Sequence, residues 1–372
     1  MCVIYANPGM TEEQRELQQE LKTLQTTPYS TSFNTLSHAL KAGSRVKELK
    51  LSRKDISISE NPTGDLTIKV SYKDTEEILT IDSDQEQPGE ALAVLANMQK
   101  SSSRKLLTYI LQKINNELLD NGAFIEGSNT IEIPYDRLAD LGIFKTAKTA
   151  KKGLLNFYDF LRRCTIIGYA TDKDGKRQQI FKGSIVYNLE TPLYSRAAIL
   201  SVNDKLQWEQ LGLKYYYIPA YYYQLPENAA DLLNYICSLA PLRWEELQST
   251  GQFSLSYEAI RAYLQLPEPG KATNPTAQVR TPIEKAIGEL ADQTGRDKEL
   301  QIIPDNKPAR RIQDYLKRQL IIKVGGEYLT TIAEYPKAKK AKRDRFNKKI
   351  EDKKARIIAE RELKNAENKA NT

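Results

Sequence analysis

The stretch KTAKTAKKGLLNFYDFLRR, residues 145–163, constrains the fold more than any other part of the chain. Wound at 3.6 residues per turn, it divides into two unlike faces. Ala147, Ala150, Leu154, Phe157 and Leu161 fall on one side, and Lys145, Lys148, Thr149, Lys152, Asn156 and Arg163 gather on the other. One face requires a core; the other matches phosphate. A solvated, lysine-rich helix carries the same stripe, so the neighbouring segments must decide between the two readings.

Upstream, SSSRKLLTYILQKINNELLDNG (101–122) places serines where a helix is capped, an apolar stripe of Leu107, Ile110, Leu111, Ile114 and Leu118, and a stop at Gly122. The run TIEIP predicts a short strand. In PYDRLADLG (134–142), Pro134 opens a helix of about two turns and Gly142 supplies a tight turn. The basic helix begins three residues later, which makes a helix-turn-helix with a recognition helix as its second member. Beyond it, CTIIGYAT and QQIFKGSIVYNLE flank the polar turn DKDGKRQ. A hairpin there completes a winged helix, with Lys173, Lys176 and Arg177 at the wing tip.

The same order recurs between residues 226 and 335. PENAADLLNYICSLAPLRWEEL carries Leu232, Leu233, Ile236 and Leu239 as a helical stripe, and SLSYEAIRAYLQL predicts a shorter helix beginning after Ser254 or Ser256. In VRTPIEKAIGELADQTG, Thr281, Pro282 and Glu284 have the spacing of a capping box with proline at the first helical position. Ile283, Ile287 and Leu290 face inward. RRIQDYLKRQLIIKVGGEYLTTI then reads as two β-rich runs joined by Gly325 and Gly326. The repetition is structural, without obvious repetition of residues.

At this point the chain resembles the iteron-binding plasmid replication initiators, which carry two winged-helix domains. The likeness is clearest in VRTPIEKAIGELADQTGRDKELQI, similar to that family's basic residue, amphipathic helix and following strand. The first unit, from KSSSRKLLTYILQKI to KGSIVYNLE, is similar in layout. Together they span roughly residues 100–335. The resemblance implies binding to repeated origin sites in double-stranded DNA on a plasmid or phage, distortion of adjacent AT-rich duplex, and recruitment of the host replicative helicase or its loader. It further implies origin contact by the second unit, with the first aiding homodimer formation or adding DNA contacts. Arg280 and Lys285 match the family's basic positions at the second recognition helix. Glu284, Glu289 and Asp292 depart from the pattern and make that helix less basic than 145–163.

Charge placement agrees with a polyanionic partner. The formal net charge of +7 is concentrated: residues 336–372 hold 14 Lys and Arg against 6 Asp and Glu, and residues 100–190 hold 15 against 10. Residues 1–99 reverse the balance, with 10 basic and 15 acidic. The first unit and the tail are thus the places where DNA is expected to bind. The tail has acid-before-base pairs four apart, such as Asp352/Arg356, which support an exposed helix that either stays solvated or lies along phosphates. Residues 11–25 predict a polar helix open to a partner helix. Within residues 47–82, three β-rich runs predict a meander with no assignable chemistry.

The expected fold class is therefore α+β, mainly α: tandem winged helix-turn-helix domains at 100–210 and 211–335, a small β-rich N-terminal extension at 1–99 and a charged helical C-terminal tail at 336–372. Three cysteines without metal-ligand spacing, no signal-like N-terminus and no run of about 18 apolar residues predict a cytoplasmic protein with reduced thiols and no membrane partner.

Enzymatic readings lack material. His38 is the only histidine, so paired-histidine metal sites cannot be assembled, and neither a metal nor a cofactor is expected. GYATDKDGKR lacks the spacing and hydroxyl residue of a phosphate-binding loop. DKDG lacks the twelfth-position glutamate of a calcium loop. The tyrosine-rich YYYIPAYYYQL (215–225) offers either stacking surfaces for single-stranded DNA or, as the plainer reading, alternation in an interdomain strand. The expected function is a non-enzymatic replication initiator. A winged-helix transcriptional repressor regulating its own operon is the runner-up, and a protein-binding scaffold the third reading.

Overall fold

Antiparallel pairing organises every sheet among the described residues, and helices pack between the sheets in an α+β arrangement. The computed structural model describes residues 24–28, 31–43, 56–72, 75–83, 90–120, 123–124, 129–171, 177–203, 215–294, 300–305, 308–326 and 328–333. The tail at 336–372, the turn bearing Lys173 and Lys176, Gly122, and all but the last two residues of the segment 11–25 lie outside them.

The N-terminal part contributes β1 (Leu24–Pro28), α1 (Thr31–Ala42), the meander β2 (Ile56–Glu60), β3 (Leu66–Tyr72) and β4 (Thr75–Ile81), and α2 (Glu90–Asn97). In β3, Leu66, Ile68 and Val70 alternate inward, so one face of the meander is buried. Leu36, Ala39 and Leu40 of α1 join the same continuous apolar core as the rest of the chain.

The first unit follows as α3 (Ser101–Lys113), β7 (Thr130–Pro134), α4 (Tyr135–Asp140), α5 (Ala147–Leu161), β10 (Val186–Glu190) and β11 (Ala197–Val202). A π-helical turn at Ile114–Leu118 and the two-residue strands β5 (Leu119–Asp120) and β6 (Ala123–Phe124) join α3 to β7. Between α5 and β10 lie β8 (Cys164–Thr171) and β9 (Arg177–Ser184). The three-stranded sheet runs β10-β11-β7, so the strand before the helix pair is hydrogen-bonded to the last strand of the unit. The expected serine cap of α3 does not form. Lys100 occupies the cap without a side-chain bond, and Ser101, Ser102 and Ser103 lie inside the first turn.

The second unit repeats this order with α6 (Glu227–Leu239), β13 (Gln252–Ser256), α8 (Tyr257–Tyr263), α9 (Thr281–Thr294), β14 (Leu300–Ile303) and β15 (Gln319–Val324). A short helix, α7 (Trp244–Thr250), precedes β13, and another, α10 (Ile312–Leu316), sits between β14 and β15. The sheet order β13-β15-β14 again pairs the first strand with the last. Ser256 caps α8 by accepting a bond from Ala259 N at 3.1 Å.

Two sequence expectations change. QQIFKGSIVYNLE is not one arm of a wing: it breaks at Ile185 and its halves enter different sheets. β9 pairs with β8, and β8 with β4, so the hairpin extends the N-terminal meander into a five-stranded sheet, β2-β3-β4-β8-β9. Asn203 secures the crossing, donating through Nδ2 to Ser184 O at 2.7 Å and through its backbone N to Ile185 O at 3.1 Å. Nor do Gly325 and Gly326 join two strands. β15 ends at Val324, and residues 328–333 are helical, with Tyr328 and Ile332 buried. The closing hairpin is instead β14–β15, formed across residues 304–318.

The tyrosine-rich segment takes its plainer reading. β12 (Tyr215–Pro219) pairs with β1, and a 3-10 turn over Ala220–Gln224 buries Tyr221, Tyr222 and Tyr223 to 3% exposure or less. Lys105 of α3 donates to the carbonyls of Tyr223 at 2.6 Å and Leu225 at 2.7 Å, and burial lowers its pKa to about 8.

Ions bury the junction of the two units. Arg104 of α3, 3% exposed, donates through Nε to Asp231 Oδ1 and through Nη2 to Asp231 Oδ2, both at 3.2 Å, and through Nη2 to Glu227 at 2.8 Å. Lys41 of α1 closes on the same Asp231 carboxylate. Burial pushes Asp231 upward, but Lys41 and Arg104 override it and hold the carboxyl below its ordinary value.

His38 sits beside this cluster. Gln265 Nε2 lies 3.1 Å from the ring Nδ1 and 3.1 Å from His38 O. An amide NH2 only donates, so Nδ1 accepts and the ring is neutral. Burial, then Lys41, lowers its pKa to about 4, with Arg104 adding to the effect and Asp231 opposing it. Because the folded pKa lies below the unfolded value of about 6.5, stability is complete above pH 6.5. It is lost as pH falls toward 4, by on the order of 3 kcal/mol. As the only histidine, His38 gives one imidazole signal by NMR. That signal is expected to titrate near 4, and His38→Gln should flatten the pH dependence of the urea midpoint between pH 6.5 and 4.5. A midpoint near 6.5 would place the ring in water.

Candidate nucleic-acid interface

The start of α5 is fixed by reciprocal capping. Thr146 Oγ1 accepts from Thr149 N at 3.2 Å, and Thr149 Oγ1 accepts from Thr146 N at 3.0 Å and lies 2.8 Å from Thr146 O. Gly142, at φ +78°, makes the turn out of α4 that only glycine adopts freely. Gly153 answers a close approach: a Cβ there would stand 2.2 Å from Cε1 of Phe144, whose ring occupies the space a side chain would need.

The buried side of α5 consists of Ala150, Leu154, Phe157, Phe160 and Leu161, all at 1% exposure or less. Burying each large side chain contributes roughly 1.5–3 kcal/mol, so the helix cannot roll to exchange its faces. Lys145, Lys148, Thr149, Lys152 and Asn156 are exposed on the other side. Leu155, Asp159 and Arg162 share that side farther along, and Arg162 pairs with Asp159 at 3.4 Å. The exposed cations therefore sit just before the helix, at Lys145, and in its first half, at Lys148 and Lys152. Lys151, at the edge, sits 5.8 Å over the ring of Tyr135 at the start of α4.

Three residues of the expected stripe stand apart from it, Lys145 because it precedes the cap at Thr146. Thr149 Oγ1 is committed to the cap. Arg163 falls beyond the helix end, half-buried, with its carbonyl accepting from Asp82 N at 3.0 Å beside the meander. Arg177 begins β9, in the five-stranded sheet rather than the sheet of the helix pair.

The loop that closes the β10-β11-β7 sheet is residues 191–196. Its turn is held by Ser195 N donating to Pro192 O at 3.1 Å, and Arg196 O accepts from Tyr135 N at 2.8 Å. Leu193 is 87% exposed and Tyr194 100% exposed, the latter at φ +67°. Sequence reading passed over this loop because the longer polar turn at 172–178 looked like the better wing. Its signal was Pro192 between two short β-rich runs.

The corresponding helix of the second unit is arranged differently. Its start lies upstream of Thr281, which is itself helical at φ −58°, ψ −45°. Asn274 provides the cap, accepting from Ala277 N at 3.1 Å with Pro275 next in line, and a π-helical turn over Thr276–Arg280 leads into α9. Glu284 thus closes no capping box. It holds Arg280 Nε at 2.8 Å.

Arg280 is otherwise occupied as well. Its Nη1 donates to Ala309 O at 3.3 Å, and its guanidinium lies 5.2 Å from the ring centroid of buried Tyr315. Arg318 stands 5.1 Å from the same ring. Lys285 is exposed, with Glu289 3.8 Å away. Arg310 and Arg311, on the loop between β14 and β15, are exposed cations that sequence reading did not single out. Their signal was present in the paired arginines of KPARRIQ.

Among the described residues, no group of three or more His, Cys, Asp or Glu side chains is placed to hold a metal, and no helix is long and apolar enough to cross a membrane. Cys164 and Cys237 are buried free thiols.

The sequence matches no protein-family profile and no curated protein. Among solved structures, the chain is similar to domains 2 and 3 of RctB, with a TM-score of 0.38 and 9% identity over 76% of this chain and 98% of that one. A likeness of this size carries no argument about function.

The contacts of Arg280 generate a test. Arg280→Ala removes a cation over an aromatic ring and should lower stability by about 1 kcal/mol, read as a fall in Tm. Lys285→Ala should leave Tm unchanged. Equal melting of the two variants would show that Arg280 is as free as Lys285.

Proposed function

We propose that the chain is a non-enzymatic replication initiator that binds double-stranded DNA through two winged helices in tandem. The observation that carries this reading is the face of α5 bearing Lys145, Lys148, Lys152 and Asn156, exposed opposite a fully buried apolar face and preceded by a short helix and a glycine turn. The equal order of elements and strands in the two units supports it. In this reading α5 and α9 are recognition helices, and residues 191–196 and 304–318 are the wings.

The lysines of α5 neutralise phosphates and set the docking of the helix, while Asn156, one turn deeper, reaches base edges. Thr149 contributes through the cap. In the second unit Lys285 of α9 and the wing residues Arg310 and Arg311 face the backbone, and Arg280 shapes the wing by holding Ala309 and Tyr315. Repeated sites at a plasmid or phage origin are the expected target. Opening of adjacent AT-rich duplex, recruitment of the host helicase or its loader, and dimer formation complete the proposal.

Replacing Lys148 and Lys152 together with Ala should weaken duplex binding and reduce the log–log salt slope by about 0.9 for each phosphate no longer neutralised. A folded double mutant with an unchanged slope takes α5 out of the interface.

Asn156→Ala should alter sequence choice more than affinity for bulk DNA, at a cost of about 1–3 kcal/mol at one base position. Binding-site selection checks this, and selection by the native chain should return directly repeated sites. The idea fails if the variant returns the native preference at every position.

A further inference from the structure

The first wing carries a feature that duplex binding does not require. Tyr194 is entirely exposed and Leu193 nearly so, whereas the large apolar side chains of α5 and the β10-β11-β7 sheet are almost all withdrawn from solvent. Tyr194 also holds φ +67°, a left-handed conformation that strains a bulky residue and that glycine or asparagine would adopt more readily. A loop that needed only to reverse the chain would be served better by either. Pro192 and the Ser195 N to Pro192 O bond make the turn tight, so the two side chains project from a short, braced loop.

What surrounds this tip points to its partner. Arg196 is exposed at the base of the wing, and its carbonyl is bonded to Tyr135 N. Tyr135 in turn lies beneath Lys151 of α5, whose neighbours Lys148 and Lys152 are exposed. An apolar, aromatic tip thus rises from the same end of the unit as the cations. A nucleic acid offers what this combination recognises: phosphates for the lysines and a flat base for the phenol ring.

We propose that the first wing is a wedge, in which Tyr194 stacks on a base that has left the duplex stack and Leu193 fills the space beside it, so that the unit prefers DNA at a junction between paired and unpaired strands. This rests on the DNA-binding reading above and adds to it a site for opened DNA on the first unit. Stacking on an aromatic side chain tolerates any base, so the preference is for structure and not for sequence.

The test compares a blunt 30-base-pair duplex with the same duplex ending in an unpaired fork, each labelled with fluorescein and titrated with full-length protein by anisotropy. The native chain should bind the fork roughly tenfold more tightly, within the range that stacking on one aromatic gives. The double variant Leu193→Ser, Tyr194→Ser should lose that preference while binding blunt duplex within about twofold of the native chain, and Tyr194→Trp should restore it when placed beside native Leu193. Tyr194→Gly, which relieves the backbone strain, should melt no lower than the native chain yet lose the preference, so loss of folding cannot imitate the result. If the native chain binds neither DNA, the DNA-binding reading itself falls. If it binds both equally, or if the serine variant keeps the fork preference or loses both substrates alike, the wedge is overturned while duplex binding stands.

Discussion

The contact on which the arrangement of the molecule depends is the buried pairing of Arg104 with Asp231. It joins the first helix of one unit to the first helix of the other, and Lys41 and Glu227 complete it from α1 and from the edge of α6. Withdrawing such charges from water costs several kcal/mol per ion, and their attraction at best offsets that cost, so the cluster is a poor source of net stability. What it supplies is selectivity. A sliding or rotated junction would leave a guanidinium or a carboxylate buried without its partner, at a cost of about 3–5 kcal/mol. An apolar junction would tolerate several packings. The charges admit one.

That constraint extends outward through covalent and packed connections. α3 holds Tyr223 and Leu225 through Lys105, which tethers the segment linking the units, and α1 brings His38 against Gln265 and Tyr263 of the second unit. The N-terminal meander is joined from the other side, since β4 pairs with β8 immediately after α5. α1 and the meander are thus part of the frame that holds the helix-strand units.

Much of this was legible in the sequence where one periodicity decided the answer. The buried and exposed sides of α5, the stripe of α6 and the alternation of the meander follow from spacing alone, because each element has a single face to hide. The misreadings share a different cause. QQIFKGSIVYNLE has the pattern of one long strand, and nothing local marks Ile185 as the point where it changes sheets; that break is set by Asn203, eighteen residues on. TPIE has the spacing of a capping box, but the box requires a non-helical Thr281, and Asn274 had already started the helix. Arg280 looked free because its partners Ala309 and Tyr315 lie about thirty residues away. Local chemistry proposes a role for each residue, and distant contacts then assign it.

The two units consequently place their exposed charge in unequal ways. At the start of α5 the cations Lys145, just before the helix, and Lys148 and Lys152, on it, have no acid within the same half of the helix, since Asp159 lies two turns on and is taken by Arg162. At the start of α9 each cation has an acid four residues later, Glu284 for Arg280 just before the helix and Glu289 for Lys285, and exposed positive charge of the unit lies at Arg310 and Arg311 on the loop between β14 and β15. Exposed pairs of this kind contribute little to stability, yet they weaken the field that a phosphate would meet. The first unit thus carries its exposed cations at its helix and an apolar loop at 191–196, whereas the second carries exposed arginines on the loop between β14 and β15 and keeps its helix acidic on balance. In the proposed DNA complex, with the Arg104–Asp231 junction fixing one unit against the other, neither would substitute for its neighbour on the same stretch of DNA, and a binding site for the whole chain would have a direction. Directly repeated sites would preserve that direction from one bound copy to the next, which favours them over a palindrome as the target of an asymmetric tandem.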